Sequence, residues 1–277
     1  MEVVDAHNHY WQYNSVEFGW MGAEHESIKR DFLPHHLASE LEKHNITATV
    51  AVQARESMEE NSFLLALAAQ HSVVKGVVGW ADFRADTFEQ DLHLIAEHPK
   101  LVGLRHFVQS RPEGYMLQES FQRGIAALKA LGLTYDILIG HHQLPEALKL
   151  VALFPDQKFV LDHIAKPPVR AGELEPWKTN ISRMAAHPQL YCKISGMVTE
   201  ADWQHWQEDQ IKPYLDVVFE AFGPDRLMYG SDWPVCLLAA PYQRVIGLVK
   251  GYIQQLSLTE QEKIMGGNAR SFYNLSE

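Results

Sequence analysis

Two histidines, His7 and His9, stand one residue apart at the end of an apolar run in "VVDAHNHYW" (3–11). Side chains at positions i and i+2 of a β-strand point to the same face, so both imidazoles are expected to project together from a strand end. Paired imidazoles on one face are typical of a divalent-metal site. Surface histidines in a loop are the alternative, so the other strands must supply the remaining ligands.

Other predicted strands also end in polar side chains, and in a barrel these ends converge on one mouth. Strand six ends in Asp162 and His163, with Asp162 expected to orient His163, and strand eight ends in Asp232. The ligand set His7, His9, His163 and Asp232 suits one divalent ion, and zinc is the expected metal. Burying so many titratable groups unpaired is costly, so a purely structural barrel is not expected to collect them.

Further strand ends offer groups for a substrate. Arg105 rather than its neighbour His106 is expected to face the mouth, because adjacent strand residues point to opposite faces. The predicted substrate-binding residues are Gln53, Trp80, Arg105, Asp136, Lys193 and Trp233, with Trp11 and Trp20 completing an aromatic rim. Indole faces suit the C–H faces of a sugar ring. For Asp136, a structural role satisfied by backbone groups is an equal alternative, and helix and loop histidines such as His25 are expected to be solvated.

Eight short apolar segments can supply the strands that position these residues. Most are continuous apolar runs rather than alternations, which is typical of parallel strands buried on both faces. They cover 2–6, 47–53, 74–80, 101–107, 133–139, 158–163, 190–195 and 226–232. Amphipathic segments typical of helices follow them, such as "PHHLASELEKHN" and "LQESFQRGIAALKALG". Eight strand–helix pairs predict one (β/α)8 barrel domain over residues 1–277.

A doubly wound parallel sheet is the alternative architecture. It would usually need fewer strands and a glycine-rich phosphate loop after strand one, where this sequence has "HNHYW". We see no linker rich in Ser, Gly or Pro and no low-complexity tract. The longest predicted loops, 10–31 and 163–175, follow strands one and six. They therefore lie on the C-terminal side of barrel strands, where barrels carry their active sites.

Composition narrows the classes of function. Hydrophobic residues make up 46% and charged residues 21% of the 277 residues, which is ordinary for a globular enzyme. A net charge of −11 without a basic block argues against nucleic-acid partners and against an anionic membrane surface. No apolar run approaches the ~20 residues that span a bilayer, and "MEVVDAH" shows no secretory signal. We expect a cytoplasmic monomer or homo-oligomer.

Several motifs resemble the amidohydrolase superfamily, and in particular its lactonase branch, which includes sugar lactonases of the L-fuconolactonase and L-rhamnonolactonase type. They are "DAHNHYW", "VVGWADF", "LVGLRHFVQ", "DHIAKPP", "CKISGMVTEADW", "MYGSDWPV" and "GGNARSFY", and together they span nearly the whole chain. The resemblance implies a (β/α)8 barrel that hydrolyses a lactone. It also implies Asp232 as general base and His7, His9 and His163 as ligands of a metal or of the substrate carbonyl.

The sequence departs from the superfamily at two strands. Strand five carries Asp136 where many members have histidine, and strand four carries Arg105 where many have lysine or glutamate. A binuclear metal centre is therefore not expected, and one divalent ion is. Because the resemblance includes lactonases that use no metal, metal-independent catalysis is the alternative.

The expected reaction is hydrolysis of an aldonolactone by Asp232, His163 and Arg105. Asp232 takes a proton from water and returns it to the ring oxygen, and Arg105 stabilises the oxyanion. The alternatives are a 2-pyrone-4,6-dicarboxylate-type lactone hydrolase, a metal-dependent decarboxylase and a non-catalytic sugar-binding protein. A dicarboxylate would need several cations at the mouth, where the sequence offers mainly Arg105, with Lys166 and Lys193 as further candidates.

Overall fold

In the computed structural model, which describes residues 2–276, eight parallel strands lie side by side in chain order. They are β1 (Val3–Asn8), β2 (Ile46–Val52), β3 (Val74–Gly79), β4 (Leu101–Phe107), β5 (Thr134–Leu138), β6 (Phe159–Leu161), β7 (Leu190–Ile194) and β8 (Leu227–Tyr229). The segments after β1 and β8 meet, since the amide of His9 donates to the carbonyl of Trp233 at 2.6 Å and that of Asp232 to the carbonyl of His7 at 2.8 Å. The sheet thus nearly closes, which confirms the (β/α)8 barrel.

Helices alternate with the strands as the amphipathic segments predict. They are α1 (Pro34–His44), α2 (Met58–Gln70), α3 (Phe88–Ala96), α4 (Glu119–Ala130), α5 (Leu144–Leu153), α6 (Trp177–Ala185), α7 (Glu208–Phe222), α8 (Tyr242–Ile253), α9 (Leu258–Glu262) and α10 (Asn268–Tyr273). α9 is not predicted by an apolar pattern, and its start depends on the Ser257 hydroxyl, which accepts from the Glu260 amide. None of the helices within residues 2–276 is long and apolar enough to cross a membrane.

The interior of the barrel is filled by small aliphatic side chains near the beginnings of the strands, among them Val4, Ala48 and Val102. Phe272 and Tyr273 of α10 belong to the same cluster. α10 therefore packs beneath the barrel and closes its N-terminal end. The C-terminal end stays open, and the polar strand-end residues gather there.

Strands β6 and β8 end earlier than predicted, because the chain turns sharply after each. His163, Ile164, Ala165 and Lys166 all have positive φ angles of 46–59°, and Asp232 has a φ of 58°. None of these residues is glycine, so each left-handed conformation costs on the order of 1 kcal/mol. Backbone strain of this kind is typically concentrated at functional sites, and here it places His163 and Asp232 at the mouth.

Candidate active site at the mouth of the barrel

A cavity of about 530 Å³ opens at the C-terminal ends of the strands. His9, Arg105, His163 and Asp232 are buried residues that line it. Side chains from the loops after β1, β2, β4, β6, β7 and β8 form its walls. The cavity lies where a (β/α)8 barrel carries its active site.

Asp232 lies at the centre of three histidines. Its Oδ1 is 3.3 Å from Nε2 of His9, 3.8 Å from Nε2 of His7 and 3.9 Å from Nε2 of His163. His7 lies in β1 and His9 lies just after it. Their rings face each other, with 3.2 Å between the two Nε2 atoms. The structure thus brings together the four residues that the sequence groups as a ligand set.

Asp5 fastens the Asp232 turn to β1. Its carboxylate accepts from the amide and hydroxyl of Ser231, at 2.8 and 2.6 Å, and from the hydroxyl of Tyr242 at 3.1 Å. Burial raises the pKa of Asp5 to about 6, although these hydrogen bonds oppose the increase. Gly230 lets the turn pack closely against β1, because an added Cβ at this position would lie 2.6 Å from Cβ of His7.

Hydrogen bonds fix the rings of two histidines. Nδ1 of His9 lies 2.7 Å from the carbonyl of Val52 and must donate to it, so a neutral His9 directs the lone pair of Nε2 toward Asp232. Nδ1 of His163 lies 2.9 Å from the Ser195 hydroxyl. The rings are therefore held in defined orientations rather than free to rotate.

Burial and charge set the protonation of the catalytic candidates. Burial lowers the pKa of His163 to about 4, so this ring is neutral at physiological pH. Burial alone would raise the pKa of Asp232, but the neighbouring His163, His9 and His7 hold it below its ordinary value. The site at neutral pH therefore holds an aspartate carboxylate beside a neutral imidazole.

Arg105 is rigidly held at the floor of the cavity. Its Nη1 donates to Oδ2 of Asp162 at 3.0 Å and lies 3.2 Å from Nε2 of His7, and its Nη2 donates to the carbonyl of Gln53 at 2.5 Å. Gln53 does not line the cavity but holds the backbone and guanidinium of Arg105. Asp162 contacts His7, at 3.3 Å between Oδ1 and Nδ1, and accepts the hydrogen bond from Arg105. The prediction that Asp162 orients His163 is therefore not met.

Four other predicted substrate-binding residues lie away from the cavity lining. Asp136 and Lys193 are fully buried in the barrel beneath it, 2.5 Å apart between Oδ2 and Nζ. Trp233 is buried, with its ring 5.2 Å from that of Phe32. Trp80 lines a separate cavity of about 300 Å³, where its indole donates to Nδ1 of His106 at 3.2 Å.

The rim contains two residues that were not predicted from the sequence to belong to the site. Trp203 and His25 line the cavity with Trp11 and Trp20, and the ring of His25 lies 5.5 Å from that of Trp20 and 5.6 Å from that of Trp203. His25 is therefore packed between two indoles rather than solvated. The position of Trp203 in the loop after β7 could have indicated a place at the mouth. Its partners lie in the loop after β1, and the sequence around Trp203 does not indicate this contact.

Gly196 holds the ring of His163 in place. With a φ of +61°, it lies so close that an added Cβ would be 2.5 Å from Nδ1 of His163. Gly196→Ala is expected to displace that ring and lower kcat/KM at least about tenfold. The matched control is Gly172→Ala, where φ is +70° and an added Cβ would meet no atom of residues 2–276 within 4 Å.

Two measurements on both glycine variants test this prediction: thermal unfolding, and hydrolysis of the aldonolactones that the sequence resemblance leads us to expect as substrates. Each variant should lose on the order of 1 kcal/mol of stability from the left-handed backbone. Only Gly196→Ala should lose activity. Equal activity of the two variants would show that the position of the His163 ring does not limit the reaction.

Comparison with known proteins agrees with the barrel fold. The family model described as amidohydrolase matches residues 4–275. The L-fucono-1,5-lactonase of Burkholderia multivorans is 38% identical over 99% of this chain and 96% of its own length. A crystal structure of an amidohydrolase from Burkholderia multivorans with bound zinc has a TM-score of 0.94 and 37% identity, with both chains covered completely.

A more distant solved structure shares the fold. It is named a probable 2-pyrone-4,6-dicarboxylic acid hydrolase from Acinetobacter baumannii, with citric acid bound, and has a TM-score of 0.80. The alignment covers 99% of this chain and 100% of that one at 17% identity. At that identity the similarity concerns the barrel alone.

Proposed function

This chain belongs to the amidohydrolase family, and on that basis we propose that it hydrolyses a neutral sugar lactone, opening an aldonolactone to the aldonic acid. The observation that carries the proposal is the pairing of the cations that line the cavity. Arg55 pairs with Glu17 and Glu60, and Lys166 lies 3.0 Å from Glu200 between Nζ and Oε1. Arg105 pairs with Asp162.

Among the described residues 2–276, these pairs give every Arg and Lys of the cavity lining a carboxylate partner. A dianionic substrate would have to displace those carboxylates, at the cost of leaving them unpaired. Hydroxyl groups instead donate to Glu17 and Glu200 and accept from the paired cations without breaking the pairs. The mixed polar walls therefore favour a neutral polyol.

Part of the cavity lining is aromatic or aliphatic. Trp20 and Trp203 pack against the ring of His25, and Val235 and Leu238 also line the cavity. Aromatic rings bind the C–H face of a sugar, while the polar walls bind its hydroxyls. The cavity volume of about 530 Å³ is ample for a monosaccharide lactone.

In the proposed mechanism, Asp232 acts first as base and then as acid. Its carboxylate accepts a proton from the attacking water, and the protonated form later gives that proton to the ring oxygen that leaves. Arg105 donates hydrogen bonds to the developing oxyanion. When the Ser195 hydroxyl donates to Nδ1 of His163, Nε2 carries the proton and supplies a second donor to the same oxygen.

We propose one zinc site in this cavity, held by His7, His9 and Asp232. Their facing atoms are 3.2, 3.3 and 3.8 Å apart, close to the ligand separations of about 3.3 Å in tetrahedral zinc sites. The Nε2 lone pair of His9 points at a carboxylate oxygen, a contact that is favourable only with a cation between or beside them. His163 groups with His7 and Asp162 instead. A bound ion would lower the pKa of water and polarise the lactone carbonyl.

The zinc proposal predicts about one equivalent of zinc per chain by elemental analysis of protein prepared with zinc. His9→Asn should lose the metal, whereas His205→Asn, at an exposed histidine outside the cavity, should retain it. Active protein with less than about 0.1 equivalents of metal, and no response to a chelator, would contradict the proposal. The three residues would then bind substrate directly.

The function is tested by comparing kcat/KM for L-fucono- and L-rhamnonolactones with that for 2-pyrone-4,6-dicarboxylate at one pH. We expect the neutral lactones to be preferred at least about tenfold, which corresponds to about 1.4 kcal/mol of transition-state stabilisation. A tenfold preference for the dicarboxylate would show that the ion pairs open to admit it. Release of CO₂ from a carboxylic acid substrate would instead indicate a decarboxylase.

A further inference from the structure

A row of alternating charges runs through the barrel beneath the cavity. Nζ of Lys193 lies 2.5 Å from Oδ2 of Asp136 and 3.0 Å from Oδ1 of Asp162. Oδ2 of Asp162 in turn accepts from Arg105 at 3.0 Å. The hydroxyl of Tyr273 extends the row at its far end by donating to Oδ2 of Asp136 at 2.7 Å.

These groups depend on one another for their positions. Asp136, Lys193 and Asp162 are fully buried, and Arg105 is 2% exposed. Two carboxylates and two cations compensate each other there, whereas any one left unpaired would pay a large desolvation cost. A displacement of one member must therefore be followed by its neighbours.

The upper end of the row contacts the site directly. Nδ1 of His7 lies 3.1 Å from Nζ of Lys193 and 3.3 Å from Oδ1 of Asp162. Nη1 of Arg105 lies 3.2 Å from Nε2 of the same ring. The row therefore sets the positions of both the His7 imidazole and the Arg105 guanidinium.

The lower end of the row depends on α10. Within residues 2–276, Oδ1 of Asp136 has no hydrogen-bond partner, so Oδ2 receives both Lys193 and Tyr273. Tyr273 is buried and packs against the side chains that fill the barrel. Its hydroxyl links the helix beneath the barrel to the charged row.

We propose that Tyr273 is a positioning residue for the reaction, acting on Arg105 and His7 through Asp136, Lys193 and Asp162. Asp136 and Lys193 then serve as intermediates in this row rather than as substrate ligands. The kinetic part of this inference rests on the proposed lactonase function. The positional part concerns the geometry of the site alone.

The test is Tyr273→Phe, which removes one hydroxyl and keeps the ring. The matched control is Tyr135→Phe, beside Asp136, because the hydroxyl of Tyr135 is buried and has no hydrogen-bond partner within residues 2–276. We expect Tyr273→Phe to lower kcat for an aldonolactone about tenfold with KM changed less than about twofold. A rise in KM alone, or equal kinetics of the two variants, would overturn the proposal.

A double-mutant cycle separates positioning from a general loss of stability. In an Asp136→Asn background, where the link to the row is already weakened, Tyr273→Phe should have little further effect on kcat. Full additivity of the two substitutions would overturn the proposed route. Circular dichroism at the assay temperature establishes that the variants being compared are folded.

A second readout does not depend on the substrate. The imidazole ¹⁵N resonances of His7 should shift in Tyr273→Phe and stay unchanged in Tyr135→Phe. Unchanged His7 resonances in both variants would overturn the positioning proposal for any reaction. Inactivity of the wild-type chain on aldonolactones, with the His7 resonances shifted, would overturn the lactonase function alone. If Asp136→Asn does not fold, the single variants and these resonances still decide the matter.

Discussion

Asp232→Asn should lower kcat for an aldonolactone by at least about 10²-fold while leaving the fold intact. The amide cannot take the proton of the attacking water, nor can it deliver that proton to the ring oxygen. Asp232 has a φ of 58°, and asparagine is the residue that tolerates this left-handed conformation best after glycine. The substitution therefore removes the base without adding backbone strain. Steady-state hydrolysis and thermal unfolding of the variant measure the two effects.

Asp202→Asn supplies the matched control for the loss of a carboxylate. Asp202 is partly exposed in the loop after β7, and within residues 2–276 its salt-bridge partner is the exposed His205. We expect its kcat to equal that of the wild type. A near-normal rate for Asp232→Asn would remove Asp232 as the base and would leave a bound metal or His163 as the group that activates water.

Arg105→Met should lower kcat/KM by about 10²–10³-fold, because a fixed hydrogen-bond donor to the oxyanion is lost. The loss of activity has a second cause. In the variant, Asp162 keeps Lys193 at Oδ1 but loses Arg105 at Oδ2. Methionine fills most of the space of the arginine stem, which limits the cavity left in the buried site. Separate values of kcat and KM for the variant show whether the donor acts in the transition state.

Arg111→Met is the control for the loss of one positive charge near the mouth. Arg111 pairs with Glu56 at 2.6 Å but does not line the main cavity. We expect a change in kcat/KM of less than about threefold for that variant, in keeping with the small effect of a partly exposed ion pair. Similar losses in the two variants would show that Arg105 contributes only to the general field of the mouth.

Much of the fold could be predicted because parallel barrel strands have a local signature. Each continuous apolar run became a strand, and the amphipathic segments between them became helices. The turn after β6 could not be predicted in the same way, since "DHIAKPP" contains no glycine to indicate a left-handed backbone. Tertiary contacts of His163, including that with Ser195, hold this conformation instead.

The site residues that lie at or just after strand ends could be predicted from the sequence. Those whose role depends on how deeply they are buried, or on contacts between loops, were harder to predict. His7, His9, His163, Arg105 and Asp232 meet because each lies at the end of a strand or just after it. Asp136 and Lys193 also lie near the C-terminal ends of β5 and β7, but their side chains are buried, pair with each other and do not line the cavity, so they support the site from below. The ion pairs and indole contacts of the rim join loops that are distant in sequence. Loops have no periodic pattern of apolar residues, so these contacts could not be predicted.

The packing of α10 beneath the barrel has a consequence for biosynthesis. Domains generally fold as units while the chain is being made, beginning from the N-terminal side. When the ribosome has completed β8, the lower end of this barrel is still open to water, because Phe272 and Tyr273 have not yet been translated. The valines inside the nascent barrel remain exposed, and the charged row still lacks one of its hydrogen bonds. Release of α10 from the exit tunnel is thus the event that completes the barrel interior and the support of the active site together.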